Sequence, residues 1–317
     1  MSDAGRAIVD TPVLPRRAVE GHKGTFGTTL VVGGAVVPRI MPGGPALAAR
    51  AALRSGCGLA TLAVPERLAI AAATITPEAT VVPLAIDDMV DDTIGASAVD
   101  TLRELAADAH AVVAGPGLGR PVGIERFVEA IVDLEDRPRV VDADALNALA
   151  SSGRDGLRGP IILTPHPGEW SRLARAVGVE QDPLHDSGRP AAAAALARRL
   201  DAGGGPVVVV LKGARTIVAD GERWWRCDRP NPALATAGSG DVLAGVIGGL
   251  LAQYHPRPGA RPLDRTRDAF EIARLGVALH AAAGRAWSDR HGDAGMLAGE
   301  LADAVPEGRR LLQSEDA

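Results

Sequence analysis

Aromatic side chains are almost missing from this chain of 317 residues: four Trp, three Phe and one Tyr make up 3% of it. A core without them has to be built mainly from Ala, Val, Leu and Ile. Cysteine is equally scarce. Cys57 and Cys227 are far apart and fall into no CxxC or Cys/His spacing, so they read as reduced, incidental thiols of a cytosolic protein. A basic surplus is missing too. The formal net charge of −5 and a pI near 5.8 lack the positive footprint that nucleic-acid binding requires, which excludes that class of partner. Nor is there a long apolar run. The nearest, residues 68–86, is interrupted by Pro77, Glu78 and Pro83, and the N-terminal residues lack the apolar stretch of a signal peptide. The expectation is a soluble, cytoplasmic protein with a small-molecule partner and no membrane.

Lysine is the sharpest deficit. Of 34 basic residues only Lys23 and Lys212 are lysines, and each precedes a glycine. A genome that favours arginine codons explains the deficit. A compact ammonium needed at a phosphate, where Arg differs in shape and hydration, would explain the two that survive.

What is present follows an α/β pattern. Short β-branched runs at 29–32, 59–64, 111–114, 140–142, 161–164 and 207–211 alternate with amphipathic stretches at 45–55, 123–132, 168–176, 190–200, 241–253 and 267–287. Such alternation predicts βαβ units: a mostly parallel central sheet with helices on both faces. Residues 216–227 break the pattern with two short runs around Asp220-Gly221, which predicts a small antiparallel edge. One domain spanning 1–317 is expected, with a loop at 254–265 and fraying at 313–317. The unusual residues cluster after the strands, in Gly115-Pro116-Gly117, Asp142-Ala143-Asp144, Thr164-Pro165-His166 and Lys212-Gly213. Strand C-terminal ends share one edge of a parallel sheet, so these segments should meet in one cleft.

The strongest motif is Thr236-Ala237-Gly238-Ser239-Gly240-Asp241, which runs into a helix with apolar residues at 242, 243, 246, 247, 250 and 251. Small residues let backbone amides approach a phosphate, and the helix N-terminus favours an anion. Asp241 at that helix start suits a plain N-cap. Beside a phosphate cradle it also suits a general base that takes a proton from an attacking hydroxyl. In Thr164-Pro165-His166-Pro167-Gly168-Glu169 the prolines aim His166 out of the strand end as a ligand-binding group. Glu169 either complements the helix dipole or holds magnesium through water. Lys212-Gly213-Ala214-Arg215-Thr216 reads as a hairpin entrance or as a nucleotide contact. Asp144 and Asn147 are spaced for helix capping. Glycines 115, 117 and 119 are spaced GxGxG, not GxGxxG, and no GxxxxGK[ST] occurs, which excludes a P-loop.

Seven segments in order resemble the ADP-dependent NAD(P)H-hydrate dehydratases of the ribokinase-like superfamily: HKGTFGTTLVVGG from 22, GGPALAARAALRSGCGLATLAVPE from 43, AGPGLG from 114, VVDADAL from 140, LTPHPGE from 163, LKGART from 211 and NPALATAGSGDVLAG from 231. The resemblance implies a ribokinase-like fold and a homo-oligomer. It implies that ADP phosphorylates the hydroxyl of the 6S hydrate of NADH or NADPH, after which phosphate leaves to regenerate NAD(P)H with AMP. Asp241 would be the catalytic base. Gly44, Gly117 and His166 would join it in contacting substrate. Lys212, Gly213, Ala214, Arg215, Thr216, Gly238, Ser239 and Gly240 would hold the nucleotide, and Glu169 would face Mg2+ through water. Gly44 replaces the family's usual Ala, and residues 36–42 depart from its usual pattern. About twenty residues precede the first motif, so no N-terminal epimerase domain is expected and the chain should handle one epimer. The rival readings are a superfamily kinase of a vitamin-precursor alcohol, a thiazole or pyrimidine, and a non-catalytic nucleotide-binding protein.

Overall fold

Runs of Val, Ile and Leu with no polar interruption become strands buried on both faces, as a parallel sheet between two helical layers requires. A computed structural model describes residues 4–87, 93–94, 98–120, 124–256 and 267–313. In chain order its elements are β1 (Arg6–Ile8), β2 (Thr28–Val32), α1 (Gly43–Ser55), β3 (Leu59–Pro65), α2 (Ala69–Ile75), β4 (Thr80–Leu84), the short pair β5 (Ile86–Asp87) and β6 (Thr93–Ile94), α3 (Ala98–Asp108), β7 (Ala111–Ala114) and α4 (Ile124–Val132). They continue with β8 (Arg139–Val141), α5 (Ala143–Ser152), β9 (Ile161–Leu163), α6 (Pro167–Val177), α7 (Arg189–Leu200), β10 (Val207–Leu211), β11 (Ile217–Ala219), β12 (Arg223–Arg226), α8 (Ser239–Tyr254), α9 (Ala269–His291) and α10 (Ala298–Leu312).

Ten strands form one sheet in the order β1-β12-β11-β10-β9-β8-β7-β2-β3-β4. From β10 to β4 every neighbour is parallel. The expected hairpin follows as antiparallel β11 and β12, and β1 adds in parallel beyond it. The chain lays down β2, β3 and β4 toward one edge, then returns to place β7 beside β2 and builds toward the other. The switch point therefore lies between β2 and β7, where a crevice opens at the strand C-termini.

Side chains alternate between two cores. Val31, Leu62, Val113, Val140, Ile162 and Val210 pack with α1, α8, α9 and α10. Leu30, Val32, Val112, Val141, Leu163 and Val209 pack with α3 to α7. On the first face α8 is the buried hub, with every residue from Val242 to Tyr254 covered. It lies so close to α1 that a Cβ on Gly245 would stand 2.1 Å from the Ala48 carbonyl oxygen.

Asp142 and Thr164, expected to end strands, lie one residue beyond them, on the loop edge where side chains are free to converge. The elements α2, α3, α10, β1 and β4 lie outside the stretches expected from the sequence; α10 contains Pro306. Gly123, residues 257–265 of the expected loop and the tail at 314–317 lie outside the described residues.

Candidate active site

All four clusters that follow the strands reach the same edge. Lys212, just beyond β10, places Nζ 2.7 Å from Asp142 Oδ1, beyond β8. The same oxygen accepts the Thr164 hydroxyl at 2.7 Å, beyond β9. Glu169 Oε2, in the first turn of α6, lies 3.7 Å from Lys212 Nζ. Burial works against the Lys212 ammonium, but Asp142 and Glu169 outweigh it and hold its pKa above the ordinary lysine value. For Glu169 burial wins over Lys212, and its pKa rises.

Above this buried ion cluster stands the N-terminus of α8. Gly238 is the N-cap, at φ +86°, a left-handed conformation suited to glycine. Asp241 is therefore the third residue of the helix and not its cap, because the helix starts two residues earlier than the apolar pattern indicates. First-turn amides have no intrahelical acceptor; that of Ser239 donates to the Thr236 carbonyl at 3.3 Å, which leaves those of Gly240 and Asp241 as the candidate anion donors. Gly240 and Asp241 meet different neighbours. A Cβ on Gly240 would lie 3.5 Å from Lys212 Nζ, whereas a Cβ on Gly44 would lie 3.3 Å from Asp241 Oδ2 and 3.2 Å from the Gly117 amide nitrogen. Asp241 thus sits with Gly44 and Gly117 at the β2/β7 switch point. Burial, helped by Asp142 and opposed by Lys212, pushes its pKa up to about 7.

A cavity of ≈ 690 Å³ adjoins this cradle, with Lys212, Gly213, Ala214, Thr216, Ser239 and Gly240 on its walls. The Arg215 side chain is not among its lining groups and meets Asp186 and Asp228 instead. His166 lines the same cavity and is also the N-cap of α6. Its Nδ1 accepts the amides of Gly168 at 3.0 Å and Glu169 at 3.3 Å, and Glu169 Oε2 accepts the His166 amide at 2.8 Å. The helix-starting reading and the ligand reading of this segment therefore share one geometry. Burial, then the charges of Lys212 and Arg172, lowers the His166 pKa, so the ring is neutral and its proton sits on Nε2.

Local sequence reasoning missed several groups. His280, inside α9, is half-buried on the cavity wall with its pKa pushed down by burial to about 4, and its Nε2 lies 3.0 Å from the Ser239 carbonyl oxygen. Nothing in the Ala-rich sequence around it marks it. Arg189 is buried and donates to the carbonyls of Leu211 and Lys212 at 2.9 and 3.1 Å, which sets the Lys212-Gly213 turn. Cys227, read as incidental, is buried on the cavity wall. Asp144, read as a capping residue, instead accepts the Gly119 amide at 2.9 Å, because Asp142 already holds the N-cap position. Asn147 accepts Arg172 Nε at 2.7 Å and also caps nothing. Of the two lysines only Lys212 is in the site. Lys23 lies in the turn before β2, at the strand N-terminal edge, where its carbonyl packs against Gly58.

A family model described as NAD(P)H-hydrate dehydratase matches residues 29–307. The bifunctional NAD(P)H-hydrate repair enzyme Nnr of Moorella thermoacetica is 39% identical over 308 residues, covering 95% of this chain and 53% of that protein. The chain thus spans about half the length of that curated relative. An ADP/ATP-dependent NAD(P)H-hydrate dehydratase of Bacillus subtilis, co-crystallised with ATP and Mg2+, superposes with a TM-score of 0.70 at 29% identity over 95% of each chain. A ribokinase-like superfamily protein of Enterococcus faecalis gives a TM-score of 0.75 at 22% identity, covering 98% of this chain and 97% of the other. The fold is ribokinase-like, as the motifs implied.

Proposed function

Since the chain belongs to the NAD(P)H-hydrate dehydratase family, we propose that it converts the 6S hydrate of NADH or NADPH to NAD(P)H with ADP as phosphate donor, releasing AMP and phosphate. The observation that carries this reading is the pairing of Gly240 and Asp241. Gly240 belongs to the wall of the ≈ 690 Å³ cavity, where the nucleotide would lie. Asp241, the next residue, turns to Gly44 and Gly117. A hydroxyl held on the Asp241 side therefore meets a phosphate held on the Gly240 side across one peptide unit.

In the proposed cycle Asp241 accepts the hydroxyl proton as the oxygen attacks the terminal phosphorus of ADP. The bond from phosphorus to the AMP oxygen breaks, and the α8 amides and Lys212 take up the charge. The carbon–oxygen bond of the new ester then breaks, the ring loses a proton, and phosphate leaves. A carboxylate with a pKa near 7 is matched to accepting a proton at neutral pH. Neutral His166, its ring held by the Gly168 and Glu169 amides and its Nε2 3.3 Å from Glu169 Oε1, would present Nε2–H to the hydrated ring.

Magnesium belongs to this reading as an ion carried on the nucleotide phosphates, where it would neutralise their charge. Glu169 would reach it through water only, because Oε2 already accepts the His166 amide and Oε1 lies 3.3 Å from His166 Nε2. Among the described residues no group of three or more His, Cys, Asp or Glu is arranged to hold a metal. The single sheet with its two helical layers supports reading 1–317 as one catalytic domain, and two buried free thiols suit a reducing cytoplasm. No described helix is long and apolar enough to cross a membrane.

The decisive experiment incubates the protein with hydrated NADH and either ADP or ATP while the absorbance of the nicotinamide band is followed. Recovery of the band with matching release of AMP and phosphate from ADP is the expected result. A stable phosphorylated alcohol in place of recovered NADH would turn the assignment to a kinase.

A further inference from the structure

A second cavity, of ≈ 310 Å³, opens between α4, α5 and α6 and shares no lining residue with the first. Three arginines, Arg120, Arg172 and Arg175, stand on its wall against two carboxylates, Asp144 and Glu125. In a chain whose cations are nearly all arginine, surface arginines alone would mean little. These three are tied to the site. Arg120 follows Gly117 by three residues, and Arg172 and Arg175 follow His166 along the second and third turns of α6. Both loops that hold the reacting end of the substrate therefore lead into this cavity.

The side chains between them fasten that geometry. Asp144 Oδ2 accepts the Gly119 amide at 2.9 Å, and its Oδ1 lies 3.4 Å from both Arg120 Nε and Asn147 Nδ2. Asn147 Oδ1 accepts Arg172 Nε at 2.7 Å. Arg172 is thus oriented through Nε while its two Nη groups meet no acceptor among the described residues, and Arg175 has no partner among them at all. One of the two carboxylates is already engaged by the loop. What remains is a pair of guanidinium forks one turn apart on α6, the nearer of which, Arg172, acts on His166 electrostatically; together they are a donor set that matches phosphate oxygens.

The substrate has such oxygens to place. With its hydrated ring at Gly44, Gly117 and Asp241, and with ADP in the larger cavity whose wall includes His166, the dinucleotide must lead its diphosphate and adenosine elsewhere. We propose that the Arg120–Arg172–Arg175 cavity is the subsite for the phosphate groups of the hydrated dinucleotide's adenylate half. This deepens, and rests on, the dehydratase reading of the same site. The phosphates concerned are the diphosphate present in both hydrates or the 2′-phosphate present only in NADPH hydrate.

The test compares wild type with Arg172→Ala, Arg175→Ala and the double variant, using hydrated NADH and hydrated NADPH at saturating ADP. Each single change should raise the KM for hydrate roughly tenfold, with kcat held within about twofold. The KM for ADP should stay unchanged, which also certifies the fold. A rise shared by both hydrates assigns the cavity to the diphosphate; a rise confined to NADPH hydrate assigns it to the 2′-phosphate. Unchanged KM for both hydrates in the double variant overturns the subsite and leaves the dehydratase reading intact. Failure of wild type to dehydrate either compound overturns that reading, and this assignment falls with it.

Discussion

Asp241 is asked to be ionised in a place that disfavours its charge. Its carboxyl is mostly buried near Asp142, and only Lys212 draws its pKa back toward the ordinary range. Two outcomes follow. On the acid side kcat/KM should fall with a midpoint at pH about 7, because the base must be deprotonated to act. Asp241→Asn should lower turnover by roughly 10²-fold or more and at the same time stabilise the fold at alkaline pH. The sign follows from linkage: a carboxyl whose folded pKa is raised from 3.8 to about 7 favours the folded state in full below pH 3.8, and that contribution is lost progressively as pH rises from there through 7. The variant's stability advantage should therefore be on the order of a few kcal/mol above pH 7 and vanish toward pH 4. Denaturant unfolding of both proteins across that range checks it; an advantage that is flat with pH rules out a raised Asp241 pKa. Lys212→Met removes the cation that faces both Asp142 and the base. The acid limb should move to higher pH, and stability should fall by about 3–5 kcal/mol, because Asp142 is left buried and unpaired. A pH–rate profile and an unfolding curve of this one variant read both effects.

At the scale of elements the site depends on where α8 begins, and that depends on how it packs. Gly245 is the closest approach of α8 to α1, and a larger side chain there meets the backbone of Ala48 directly. Gly245→Val should destabilise by about 1–3 kcal/mol or more. It should also depress kcat, since the first-turn amides and Asp241 move with the helix; a variant with a lowered Tm and wild-type kcat would show that α8 tolerates the shift. The positions of α8, α6 and the strands are legible in their apolar periodicity and in the Pro-Gly-Glu start of α6. Their ends are less so. The pattern begins at the first apolar residue, whereas α8 begins with Ser239 and Gly240, whose side chains carry no periodic signal.

Across the whole molecule the cavity proposed for the nucleotide draws its walls from the loop after β10 and from α6, α8 and α9, segments distant in sequence. Binding there should stabilise all of them together. A hundredfold excess of ADP over its Kd should add about 2.7 kcal/mol and raise Tm by several degrees. Calorimetry with AMP, ADP and no nucleotide measures it, and an unchanged Tm would remove the nucleotide from this cavity. The sequence by itself determined the sheet, its helical layers, the antiparallel hairpin and the glycine loop before α8, because apolar periodicity and glycine loops are local properties. Scarcity marked both lysines equally, and the motifs assigned a role to Lys212 alone. The tertiary structure set Lys23 at the opposite edge of the sheet, since the two edges are indistinguishable until the strands are paired. Likewise the topology brought His280 and Arg189 to the site and gathered Arg120, Arg172 and Arg175 around a second cavity. Each side chain answers to neighbours dozens of residues away, and no local pattern encodes those contacts.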